Sequence, residues 1–211
     1  RRAAIRNTAM SEEDHNAAPP QERREYFRID DRVLLNLRPI TETESAAVHE
    51  RIVERVADRF TVAANFAVNS RATARLLHGL SSSSPDAARY MKLLDQKLNQ
   101  LARLFVLDEV ERGDYPLLNV NLSAGGLVFP SRREFAEGDL LEMRMVLYPD
   151  MMGILTVARV VYCERLAQQP GDFPWQVAVE YEHIRESDRD LLVSHIMARE
   201  TELLRRQRGE D

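Results

Sequence analysis

"LLNVNLSAGGLVFP", residues 117–130, reads as a strand, a tight turn and a second strand. Its Val, Leu and Phe residues suit a pleated, half-buried surface, and Ser-Ala-Gly-Gly suits a turn. Residues two apart on a strand face the same side, so the Asn121 amide and the Ser123 hydroxyl can address one ligand. Gly126 stands where the chain needs either a positive φ or a close approach of another backbone. Taken alone, these are ordinary turn residues.

The flanking sequence extends the β pattern. "GDLLEMRMVLYP" (138–149), "GILTVARVVYCERL" (153–166) and "PWQVAVEYEHI" (174–184) are further strand candidates, rich in Val, Ile, Leu or Tyr and bounded by Gly or Pro. Alternation is imperfect in the second, where Val157, Val160 and Val161 surround Arg159. Upstream, "YFRIDDRVLLNLRPI" (26–40) is the first strand, ended by Pro39. Downstream, "SDRDLLVSHIMARETELLRRQR" (187–208) is a helix. Ser187 is its expected cap, Asp188 and Asp190 lie in its first turn, and Arg205, Arg206 and Arg208 form a solvated basic end.

Between the first strand and Leu117 the period changes to that of a helix. "TETE" (41–44) is a capping box. Val48, Ile52, Val56, Phe60, Ala63 and Ala67 follow at helical spacing. The helix is expected to run to Leu77 with Gly79 after its end, or to break near Asn69-Ser70. "SSSSPD" reads as a loop, with Ser84 capping a second helix and Pro85 at its first position. Met91, Leu94, Leu98, Leu101 and Phe105 then make a heptad seam on a helix of roughly 30–35 Å.

The expected architecture is α+β: a six-stranded antiparallel barrel, interrupted after its first strand by a helical hairpin and closed by a C-terminal helix. Residues 1–20 are a flexible lead-in, 21–40 and 111–211 the barrel domain, and 41–110 the insert. The chain begins at Arg1 and its first Met is Met10, so residues 1–9 are expected to lie upstream of a native start and are set aside.

Paired as a hairpin, Val48, Ile52, Val56 and Phe60 are expected to cover Met91, Leu94, Leu98 and Leu101. Val53, Val62, Phe66, Val68, Leu76, Leu93 and Leu104 widen the apolar surface beyond one seam. A homo-oligomer, dimer or tetramer, held by residues 41–110 is the expectation.

Composition narrows the function. With net charge −5 and a pI near 5.6, bulk DNA or RNA binding is disfavoured. Cys163 is the single cysteine, so no internal disulfide forms, in keeping with a cytoplasmic location. It reads as a small core residue, and Trp175 as barrel packing. No apolar run reaches the roughly 18 residues of a membrane helix, and no signal-peptide pattern is visible. His15, His49, His78, His183 and His195 are scattered without metal-ligand spacing. "NLSAG" lacks the G-x-S-x-G pattern of a nucleophile elbow, and no Walker loop is present. Nothing points to an enzyme.

Against that acidic balance, "QERREYFRID" (21–30) gathers Arg23, Arg24 and Arg28 around two aromatics, just after Pro19-Pro20. Clustered guanidinium groups face carboxylates, phosphates or a nucleotide. The bland partners are Glu22, Glu25, Asp30 and Asp31 on a solvated arm. Together, "RREYFR" and "NLSAGG" resemble the paired signature of the PilZ domain family, R-x-x-x-R followed by [DN]-x-S-x-x-G. The matching positions are Arg24 and Arg28, with Arg23 before them, and Asn121, Ser123 and Gly126. The resemblance covers residues 21–40 and about 115–195. It implies a six-stranded barrel with a terminal helix and, as ligand, the bacterial second messenger cyclic di-GMP.

In most members the two motifs follow each other closely, whereas here the insert separates them. The insert resembles a PilZ variant in which inserted heptad helices build a tetramer. The implied chemistry suits the residues. A guanine edge offers O6 and N7 to an arginine fork, guanidinium planes stack on purines, and phosphates accept charge-assisted bonds from Arg. No cofactor is implied beyond this regulatory ligand. The rival reading is an oligomeric adaptor that binds a protein without nucleotide.

Overall fold

The computed structural model describes residues 27–54, 59–166 and 172–208. Six antiparallel strands close a barrel: β1 (Arg28–Ile40), β2 (Leu117–Ser123), β3 (Gly126–Ser131), β4 (Leu140–Leu147), β5 (Met152–Arg165) and β6 (Trp175–His183). Their order around the barrel is β1-β2-β3-β6-β5-β4. β1 closes the ring by serving two neighbours. Residues 28–34 pair with β2, and residues 33–40 pair with β4. It continues one residue past Pro39, to Ile40.

Inside lie Ile29, Val33, Leu35, Leu122, Leu127, Phe129, Leu141, Met143, Met145, Ile154, Val177 and Val179. The helix α4 (Glu186–Arg208) closes this core with Leu191, Leu192 and Ile196. It starts one residue before Ser187, so Ser187 lies inside the first turn and is not the cap. Trp175 and Cys163 pack against the core, half-buried.

The segment between β1 and β2 contains three helices where two were expected: α1 (Glu42–Val53), α2 (Val62–Ser83) and α3 (Pro85–Arg112). The capping box forms. Glu44 N–H donates to Thr41 Oγ1 at 3.3 Å, and Thr41 N–H donates to Glu44 Oε2 at 2.9 Å. The Thr41 N–H and then Arg38 hold the Glu44 carboxyl down at about 2. Arg38 also reaches Glu142 on β4 at 2.6 Å, tying the start of α1 to the barrel.

The helix breaks after α1, earlier than the spacing suggests, because its apolar residues serve two different clusters. Val48 and Ile52 pack with Ile40, Leu140, Leu155 and Val157. Phe60 and Ala63 pack with Leu34, Val146, Met151, Ala102 and Val106. Past that break, α2 runs through Asn69-Ser70, through Gly79 and through Ser81–Ser83. The expected loop is helix because its serines satisfy the helix from within. Ser81 Oγ donates to the His78 carbonyl at 2.6 Å, and Ser83 Oγ to that of Leu80 at 3.3 Å. Only Ser84 turns the chain, and Pro85 opens α3 as expected; Ser84 makes no side-chain cap bond.

Two expectations about the insert need correction. Val48, Ile52 and Phe60 are 3%, 2% and 0% exposed, and they pack on their own barrel, so they neither cover the α3 seam nor present an interface. Val56 lies outside the described residues. Nor does the insert project as a free hairpin. Arg144 on β4 bonds Glu109 of α3 at 2.9 Å, and its guanidinium stands 5.7 Å over the Phe60 ring.

Barrel burial on both faces explains the near-continuous apolar runs of β4 and β5. In β5, irregularities between Val157 and Ala158 and between Val160 and Tyr162 shift the register. Strand alternation still turns Leu155 and Val157 toward α1 and Ile154, Ala158 and Val160 toward the barrel core.

α3 carries two stripes about a quarter-turn apart. Ala88, Ala102 and Val106 are buried. Ser70 of α2 bonds Asp95 at 2.6 Å, and Asn99 donates to Ser70 at 3.1 Å, which adds a polar layer between the helices. The heptad seam is left outside: Met91, Leu94, Leu98, Leu101 and Phe105 are 39–51% exposed.

Docking of the insert rests on a residue without a side chain. A Cβ at Gly153 would lie 2.2 Å from the Phe60 carbonyl oxygen and 3.0 Å from its ring. Gly153→Ala should therefore destabilise the protein by about 1–3 kcal/mol through overpacking. Urea unfolding that finds the variant as stable as the wild type would count against this docking.

Candidate ligand-binding site

The β1–β2 register brings the two sequence motifs to one rim of the barrel. Arg28 lies directly opposite Ser123, and Asp30 opposite Asn121. Arg28, Asn121, Ser123 and Gly126 thus converge although 92 residues of sequence separate Arg28 from Asn121 in the chain. Arg23 and Arg24 lie outside the described residues.

Each motif residue on the barrel also has a local task. Ser123 is buried, and its hydroxyl braces the turn. It donates to the Gly126 carbonyl at 3.0 Å and accepts from the Gly126 and Gly125 N–H groups at 3.1 and 3.3 Å. Gly126 answers the question its position raised. A Cβ there would meet the Val179 carbonyl oxygen at 2.2 Å, so close approach of β6 requires the glycine. Asn121 donates to Asp30 Oδ1 at 2.8 Å. A ligand that takes the Asn121 amide competes with that carboxylate.

Asp31 is held by the C-terminal helix. It faces inward, 1% exposed at its side chain, between Ile29 and Val33 in strand parity. His195 Nε2 lies 2.7 Å from its Oδ2, and Arg199 donates from Nε and Nη2 to Oδ1 at 3.2 and 3.1 Å. Burial raises the Asp31 pKa, but the His195 bond, the Arg32 N–H and the Arg199 charge outweigh it, and the carboxyl sits below its ordinary value. Arg189 Nη1 donates to the Ala124 carbonyl, inside the signature turn, at 2.7 Å. Burial pushes the Tyr181 hydroxyl well up.

Reading the sequence alone missed Asp31, His195, Arg199 and Arg189. The available signal was a charged residue at an inward position of β1, which requires a partner, and a histidine inside "LLVSHIM", the apolar part of α4.

Comparison with known proteins follows the same lines. The PilZ domain family model matches residues 100–198. Residues 100–198 are thus similar to a PilZ domain. The match begins within α3, so β1 and Arg28 fall outside it and join the matched strands through strand pairing. A solved structure with the same fold is a pathogenic protein from Xanthomonas campestris, described as a tetrameric PilZ domain self-assembled via a helical bundle. The identity is 14% and the TM-score 0.52, over 88% of this chain and 92% of that one. Comparison with curated proteins gives no match. Among the described residues, no group of three or more His, Cys, Asp or Glu could hold a metal ion, and no helix is long and apolar enough to cross a membrane.

The Asp31 cluster makes stability depend on pH. Because the folded-state pKa is lowered, its contribution is fully present above the ordinary value of 3.8 and is lost as pH falls below it. His195→Leu should cost roughly 1–3 kcal/mol at pH 7, since a buried acceptor loses its partner, and should flatten this acid limb. Urea midpoints measured at pH 7 and pH 3 test both effects.

Proposed function

We propose that this chain is a bacterial, cytoplasmic cyclic di-GMP receptor that is not an enzyme and that converts dinucleotide binding into altered protein contacts. The outputs that suit such a receptor are motility, pilus or biofilm regulation. The observation that carries the reading is the pairing of Arg28 with Ser123, which sets the arginine motif against the Asn121–Gly126 motif on one rim. In this reading Arg23, Arg24 and Arg28 supply guanidinium forks and stacking planes to guanine and phosphate. Asn121 offers its amide from the barrel face, and the Ser123–Gly126 turn holds the rim in shape.

One observation favours a second reading, an oligomeric adaptor acting without nucleotide. The polar groups of Asn121 and Ser123 already bond to Asp30 and to the turn. Calorimetric titration separates the two. The full chain should bind cyclic di-GMP and reject GTP and cyclic di-AMP, because adenine presents a donor where guanine presents O6. Arg28→Ala should weaken binding by roughly 1.5–3 kcal/mol if one charged hydrogen bond is lost. Heat of binding absent from the wild type would leave the adaptor reading standing.

The assembly proposed with it is a homo-oligomer built on α3. Met91, Leu94, Leu98, Leu101 and Phe105 are joined on the outside by Tyr90, Leu93 and Leu104, each at least half exposed. This face is broader than a two-helix seam and suits contact with two neighbouring helices, as in a four-helix bundle. The tetrameric helical bundle described for the Xanthomonas campestris protein supports the same arrangement. Replacing Leu94 and Leu98 together by Glu should give a folded monomer. Light scattering that finds the wild type monomeric at micromolar concentration would refute the assembly.

A further inference from the structure

Arg189, in the first turn of α4, and Arg185, whose carbonyl caps that turn, reach two different parts of the molecule. Arg189 Nη1 donates to the Ala124 carbonyl of the signature turn at 2.7 Å. Arg185 Nη1 donates to Asn65 Oδ1 of α2, in the insert, at 2.6 Å. Arg185 is 10% exposed at its side chain and lies 4.0 Å from the Asp188 carboxylate, itself 1% exposed. A charged group so enclosed stays with the helix it caps, because swinging away alone would strand a buried charge. α4 is anchored at a third point, where His195 and Arg199 hold Asp31. Asp31 adjoins Asp30, the partner of Asn121. One helix with its cap residue therefore touches the signature turn, the strand that carries Arg28, and the insert.

We propose that Arg189 is a further ligand-sensing residue and that α4 relays occupancy of the signature turn to α2 through Arg185 and Asn65. This rests on the receptor reading above. The chemistry is a competition between acceptors. The Arg189 side chain is about one-quarter exposed beside the turn; its Nη1 bonds the Ala124 carbonyl, and its Nε lies 3.8 Å from the exposed Glu186 carboxylate. A phosphate oxygen is a stronger acceptor for an arginine than a peptide carbonyl. A dinucleotide seated at the turn therefore favours the state in which Arg189 leaves Ala124 for the phosphate. A ligand shifts an equilibrium only through such a difference in affinity between two states. The Arg185 carbonyl accepts the Arg189 N–H at 2.9 Å, so a shift of the helix reaches Asn65 and the root of the helical bundle. Linkage runs both ways: a change at Asn65 must alter ligand affinity, although Asn65 belongs to the insert and not to the barrel rim.

Hydrogen exchange and calorimetry on the full chain test the relay, with cyclic di-GMP as the probe. In the wild type the ligand should change exchange over residues 184–192 and, together with it, over residues 62–70. In Asn65→Ala the response at 62–70 should disappear, and the affinity should shift about 5-fold or more. Asn65→Asp keeps an acceptor for Arg185 and should preserve the response, which separates the relay from simple loss of packing. Binding with exchange unchanged at 62–70, and with equal affinity in Asn65→Ala, overturns the relay and leaves the receptor reading intact. Absence of binding in the wild type overturns the receptor reading. The ligand-free comparison of Arg189→Gln with the wild type then decides the mechanical link: faster exchange at 62–70 retains it, and unchanged exchange removes it.

Discussion

The double pairing of β1 is the constraint on which the other features depend. A barrel is closed only if its first strand meets its last neighbour, and here one 13-residue strand does so by pairing on both edges. The candidate site sits at its first residue, where Arg28 meets Ser123. The insert departs from its last, where Ile40 packs under α1. Closure removes the exposed edge that an open sheet would offer to other chains. It also brings together two motifs that the insert separates in sequence.

The insert is held by apolar burial more than by charge. Surface ion pairs such as Arg103–Asp150, at 3.5 Å and half exposed, contribute little. Phe60, by contrast, is fully enclosed and lies against the backbone at Gly153. Arg38 and Arg144 add direction. Each joins a helix of the insert to Glu142 or its neighbourhood on β4. The result is a helix, α3, with one flank committed to its own chain and an apolar flank still uncovered.

The site is built from residues that also carry structure. Ser123 braces its turn, Gly126 admits the β6 backbone, and Asn121 holds Asp30. The shape of this rim is thus set by bonds within the chain itself. Bonds from three residues of α4, Arg189, His195 and Arg199, fix that rim to the terminal helix.

From the sequence alone, the α+β class, all six strands, the capping box at Thr41 and the signature residues Arg28, Asn121, Ser123 and Gly126 were legible. Each depends on local chemistry: strand composition, a cap spaced by three residues, or a motif of fixed spacing. The break after α1, the continuation of α2 through Gly79 and Ser83, and the choice of which α3 stripe is buried were not. Val48, Ile52 and Phe60 show the same helical spacing whether they cover a partner helix or a barrel. Only the position of Leu34, Val146, Leu155 and Val157 on the outer barrel wall decides between them. Asp31 lies 164 and 168 residues from His195 and Arg199, and no local rule pairs it with them. Closure of the barrel by α4 does, because a carboxylate turned into the core must meet its counter-charge there.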